Sequence, residues 1–234
     1  MEEYSVRELE CGGLDGDGKS ETWLLAHVWT IVDHVFDNLP LSVVRGESAS
    51  LASSARKNKG RIPQGEEKLE RKKMGHRMDL ILRKKLELGP DEAGKRTNDN
   101  DSKLFRERNI KLPKALKDMI MCFKTEAGVD DVQGLEVVGL LQYGLKMSSI
   151  IMDVPVNYVH RVTRTKNVVV PSDWDNLPDF RKVLFMALSI KEIVSRTMEL
   201  LQSKLGNDND DLGKVMEPPE VDSYQLPQTF DSQE

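Results

Sequence analysis

Met78-Asp79-Leu80-Ile81-Leu82, then Leu86-Glu87-Leu88-Gly89 and Glu92-Ala93-Gly94-Lys95, read as two adjacent β-strands, at 78–83 and near 85–94. An aspartate inside an otherwise apolar strand asks for a reason beyond packing. Two strand-borne carboxylates with a lysine nearby suit Mg²⁺ chemistry on a phosphodiester. The ion keeps most of its waters and takes one or two carboxylates plus phosphate oxygens. Side chains alternate faces along a strand, so an odd connecting turn such as 83–85 sets Glu87 on the face of Asp79. An even turn sets Glu92 there instead.

Upstream of this pair, Trp23 to Phe36 has helical spacing, with Leu24, Val28, Ile31, Val32 and Val35 on one stripe and Pro40 as its stop. Glu47 to Lys59, small and polar and then basic, reads as a second helix, and 60–77 as a charged connector. Downstream, the polar loop Arg96 to Ser102 leads to a helix at Pro113 to Lys124, because proline suits a first helical turn. Leu112, Leu116, Met119, Ile120 and Phe123 form its apolar face, while Lys111, Lys114 and Lys117 recur every third residue. Strand-like segments follow at Leu135–Val154 and Tyr158–Val170, then a long amphipathic helix at Phe180–Leu205 closed by Gly206. The order predicts an α/β fold, a mixed sheet flanked by helices.

At 234 residues and 38% hydrophobic, the chain supports one domain with a real core. The expected division is a flexible N-terminal segment at 1–19, an α/β domain at 20–206 and a tail at 207–234. That tail, with eight acids, one lysine and three prolines, is expected to be disordered. No apolar run approaches the ~20 residues of a membrane span, and the start, Met1-Glu2-Glu3-Tyr4, is acidic where a signal peptide is basic. An intracellular protein, nuclear or cytoplasmic, is expected. Cys11 and Cys122 lack any metal-ligand spacing and read as ordinary thiols. The tryptophans Trp23, Trp29 and Trp174 read as core.

The net charge of -5 hides an asymmetry. Residues 56–124 hold 21 Lys/Arg against 11 Asp/Glu, so the flanks are strongly acidic. A basic stretch that coincides with the candidate carboxylates reads either as the electrostatic footprint of a polyanion or as a well-solvated lysine-rich surface. The first reading predicts nucleic acid as partner, with Arg56, Lys57, Lys114 and Lys117 as phosphate contacts.

Arg45-Gly46-Glu47-Ser48, Arg56-Lys57-Asn58, Met74-Gly75-His76-Arg77-Met78-Asp79, Glu87-Leu88-Gly89, Glu92-Ala93-Gly94-Lys95 and Leu112-Pro113-Lys114-Ala115-Leu116-Lys117-Asp118-Met119 together resemble a large group of uncharacterised fungal proteins. From about residue 20 to 205 the pattern also resembles the restriction-endonuclease-like, PD-(D/E)XK fold. That resemblance implies a helix glutamate, a strand aspartate and an ExK on the next strand, which bind a metal and assist the attacking water. By order, Glu47, Asp79 and Glu87 match the first three, as ligands of Mg²⁺. The lysine does not match: Gly89 stands two residues after Glu87, and Glu92 with Lys95 supplies an ExxK, one residue too long. The resemblance therefore implies either an Mg²⁺-dependent nuclease using Asp79, Glu87, Glu92 and Lys95, or a non-catalytic interaction module on the same fold.

A different class competes for residues 13–20. Gly13-Leu14-Asp15-Gly16-Asp17-Gly18-Lys19-Ser20 fits the P-loop pattern GxxxxGK[ST], with Ile150-Ile151-Met152-Asp153 as a partner strand. The segment before it, Ser5 to Glu10, is charged where a buried strand is needed, and Asp15 and Asp17 put negative charge where phosphates would sit.

Overall fold

The computed structural model describes residue 14 and residues 18–60, 71–95 and 102–204. The tail expected at 207–234, Gly206, Cys11 and most of the 1–19 segment lie outside the described residues. Two short helices come first, α1 (Glu21–His27) and α2 (Thr30–His34). Ser20 caps α1 by accepting the Trp23 N–H at 3.1 Å. The expected stripe is present, with Leu24, Val28 and Val32 buried, but the helix breaks at Val28-Trp29. There Trp29 turns inward, and its indole N–H donates to the Gly144 carbonyl at 3.1 Å.

The sheet runs in the order β1 (Ser42–Ala49), β2 (Arg77–Arg83), β3 (Glu87–Gly94), β4 (Glu136–Tyr143), β5 (Lys146–Val156), β6 (Val159–Arg164), with β7 (Val168–Val169) also paired to β5. Only β3 and β4 are parallel; every other neighbouring pair is antiparallel. Helix α3 (Leu51–Asn58) lies between β1 and β2 in sequence. The crossover from β3 to β4 contains α4 (Ser102–Arg106), a π-helical turn (Glu107–Lys111) and α5 (Leu112–Thr125). Helix α6 (Phe180–Lys204) comes last. The mixed sheet is thus sandwiched. Gly139 leaves room for Leu112 and Leu116 of α5 on one face, while Ser149 and Ile151 meet α6 on the other.

Three expectations needed correction. The helix expected at Glu47–Lys59 begins only at Leu51, because Ser42–Ala49 is an edge strand. A bulge interrupts that strand between Arg45 and Ser48, with Gly46 at φ 91° and Glu47 at φ 50°. Both angles belong to the left-handed region that hides a strand from pattern reading. Second, Pro113 does not start its helix: the chain is helical from Ser102 onward. A proline inside a helix collides with the carbonyl four residues back, here Asn109. The π turn widens the helix at that point, and the Leu112 N–H donates five residues back, to Glu107. Third, Trp174 is exposed rather than core.

The long apolar face of α5 is as expected: Leu112, Leu116, Met119, Ile120 and Phe123 are fully buried. Among the described residues no helix is long and apolar enough to cross a membrane.

Candidate functional site

The β2–β3 register decides which carboxylates meet. Leu80 pairs with Asp91, Ile81 with Pro90 and Leu82 with Gly89, so the next step sets Asp79 beside Glu92. Asp79 Oδ2 accepts the Ala93 N–H at 2.7 Å, which fixes its side chain against β3. The turn at 84–86 is odd, yet a bulge shifts the register so that Arg83 pairs with Glu87. Glu87 therefore lies four residues along β2 from Asp79, about 13 Å at ~3.3 Å per residue, and does not share a cation with it.

Glu87 has a different task. Its buried carboxylate accepts the Leu51 N–H at 2.8 Å, the Ala52 N–H at 3.1 Å and the Ser50 hydroxyl at 2.7 Å, at the N-terminus of α3. The Arg83 guanidinium closes the cluster at 2.7 Å. An anion at a helix start satisfies otherwise orphaned N–H groups and complements the helix dipole. Glu47 also departs from expectation: it sits in the β1 bulge, exposed, 3.5 Å from Arg77.

Beside Asp79 and Glu92 the crossover helix adds what the sequence reading missed. Lys111, at the end of the π turn, places its ammonium 2.7 Å from both Glu92 oxygens. Glu107, one turn earlier, is buried next to Glu92 with its Oε2 lacking a hydrogen-bond partner. Lys103 contacts the Ala93 carbonyl at 3.3 Å and Glu21 at 3.6 Å. Burial raises the Glu92 carboxyl to about 8, against the opposing pull of Lys111. Burial also raises Glu107, opposed by Lys103 and Lys111. Burial by itself would lower Lys103, but Glu107, Glu21, Asp79 and Glu92 hold it above its ordinary value. Lys95, the expected partner, lies exposed just past the end of β3.

These facts bear on whether a divalent cation fits. Among the described residues no three His, Cys, Asp or Glu side chains group closely enough to cage a metal by themselves. Mg²⁺ does not need a cage, since one or two carboxylates with water and phosphate suffice. Asp79 and Glu92, neighbours across the β2–β3 pair, are the carboxylates that would hold it. Glu92 and Glu107 lie together there, with the Lys111 ammonium against Glu92 and Glu107 Oε2 without a hydrogen-bond partner.

A groove of about 1020 Å³ opens onto this spot, lined by Lys57, Lys73, Met74, His76, Ser102, Lys103, Arg106, Glu107, Ile110, Lys111 and Lys114. Of the four expected phosphate contacts, Lys57 and Lys114 line it. Arg56 instead is largely buried in a 2.9 Å ion pair with Asp118. Lys117 is half-buried, and burial lowers its pKa.

The P-loop reading loses ground where it can be followed. Ser20 is a helix cap, Lys19 lies 4.5 Å from the Trp23 ring centroid, and Asp153 is bound to Arg161 at 2.6 Å. Gly13 and residues 15–17 lie outside the described residues. Comparison with known proteins finds no family model, no curated protein and no solved structure that matches this chain.

Proposed function

We propose that this chain is an Mg²⁺-dependent nuclease on a restriction-endonuclease-like fold, with Asp79 and Glu92 as the metal-holding carboxylates and Lys111 as the charge stabiliser. The observation that carries the reading is the contact between Lys111 and Glu92, directly across the strand pair from Asp79 and at the foot of a basic groove. Two residues after Glu92 the strand offers Gly94, and the lysine comes from the crossover helix instead. Antiparallel β1, β2 and β3, with α3 between the first two, followed by a helical crossover to a parallel β4, support the fold resemblance.

When bound, Mg²⁺ supplies Lewis-acid polarisation of the phosphodiester and a more acidic bound water. The chain's own residues do the rest. Asp79 and Glu92 set the position of the cation. Lys111, held beside Glu92, would offset charge that develops on the phosphate. Glu107, raised by burial, keeps its proton more readily than an exposed glutamate and so limits repulsion beside Glu92. Lys57, Lys73 and Lys114 hold the flanking phosphates.

The test is cleavage of labelled oligonucleotides with Mg²⁺ or Mn²⁺. Asp79→Asn, Glu92→Gln and Lys111→Met should each lower the rate by about 10²–10³-fold, the usual effect of removing one preorganised charge. Lys95→Ala should leave it unchanged. Full activity in Glu92→Gln, or cleavage in EDTA, would sink the proposal. The alternative is a non-catalytic binding module. It is favoured by the depth of Glu92, 2% exposed, and its existing ion pair; salt-sensitive binding without cleavage would establish it.

A further inference from the structure

We propose that the groove takes a single-stranded nucleic acid, with its bases packed on Met74 and Ile110 and its phosphates on the surrounding lysines. This rests on the nucleic-acid reading above and names the substrate class of the same site.

The two walls alternate charge with exposed aliphatic surface. Ile110 stands between Lys103 and Glu107 on one side and Lys111 and Lys114 on the other, along one face of the α4–π–α5 helix, and is 51% exposed. Across from it Met74 is 61% exposed, flanked by Lys73 and His76. Neither is a loose surface residue. The Met74 segment is tied to α3 on both sides: Asn58 accepts the Lys73 N–H at 2.9 Å and donates to its carbonyl at 2.8 Å, and the His76 N–H donates to Ser53 at 2.7 Å. Between them Gly75 passes so close that a Cβ would lie 1.9 Å from the Ser50 carbonyl oxygen, so no other residue fits there. The chain thus holds a large apolar side chain rigidly out into a basic groove.

A duplex turns its base faces inward and offers phosphates and groove edges, which give two aliphatic side chains little to cover. A single strand offers its base faces; basic grooves hold such strands without sequence preference by stacking the bases on aromatic side chains, and here the exposed aliphatic side chains of Met74 and Ile110 take that place.

Fluorescence anisotropy in EDTA tests this with cleavage removed, using a short oligothymidylate, an oligouridylate and a blunt-ended DNA duplex as probes. The single strands should bind more tightly than the duplex. The double variant Met74→Ala/Ile110→Ala, which truncates exposed side chains only, should weaken single-strand binding by about tenfold and leave duplex binding nearly unchanged. Tighter binding of the duplex overturns the proposal. So does an equal loss for strand and duplex, the signature of side chains wedged into a kinked duplex, or no loss at all. The two oligomers separate DNA from RNA. Strand binding without cleavage in Mg²⁺ would fail the nuclease assignment alone, duplex preference would fail this inference alone, and no binding by any probe would overturn both.

Discussion

Asp91 neighbours Glu92 in sequence but faces the other side of the sheet, fully buried, with the Arg45 guanidinium at 3.8 Å. Arg45 is itself held by Asp33 at 2.6 and 2.7 Å, so one cation serves two acids. Burial raises Asp91 to about 7 from 3.8, against the pull of Arg45. Across that window the unfolded chain has released the proton while the folded chain retains it. This contribution is therefore fully present at low pH, is lost as pH rises from about 4 to about 7, and is level above. Asp91→Asn should flatten that part of the stability–pH curve, measured by urea denaturation between those pH values; an unaltered slope would show that the acid does not hold its proton. Sequence reading set Asp79 in a strand, as found in β2, since an acid inside Met78-Asp79-Leu80 announces itself by breaking an apolar run. It could not place Lys111. Nineteen residues separate Lys111 from Glu92, and only the crossover brings them together.

The β2–β3 hairpin shows the limits of parity at the scale of an element. Turn length alone selects Glu87, yet a single bulged residue moves the register and delivers Glu92. No residue pattern announces that bulge. The π turn was equally illegible, although its cause, Pro113, was in plain view. Helix α3 was half legible: its small residues were seen, but not the strand before it or the glutamate that seats it. Glu87→Ala leaves two backbone N–H groups and a hydroxyl without their acceptor, and Arg83 with the Ala49 carbonyl but no carboxylate. A loss of roughly 3 kcal/mol is expected, read as a lower midpoint in chemical denaturation. Cleavage by the remaining folded protein should persist, which distinguishes Glu87 from Glu92.

For the whole molecule, the four basic residues expected to contact phosphates, with Lys73, fall into two groups. Lys57, Lys73 and Lys114 open onto the groove, whereas Arg56 and Lys117 are drawn into the packing of α3 and α5. Composition cannot separate them, because both kinds recur on the same helices. The difference appears in salt dependence: Lys73→Ala should reduce the slope of log affinity against log salt by about 0.7 for a single strand. Arg56→Ala should leave the slope alone and lower stability instead. The mixed α/β class was legible, since an amphipathic α5 and a long α6 write their periodicities plainly; β3, buried on both faces, shows no alternation.

One consequence of the β1 bulge concerns many molecules rather than one. A border strand is a template on which a second copy can add its own strand and begin a fibre. Here the left-handed pair Gly46-Glu47, at the residue expected to bind a metal, breaks the repeat of that template halfway, so an added strand finds no continuous ladder to extend.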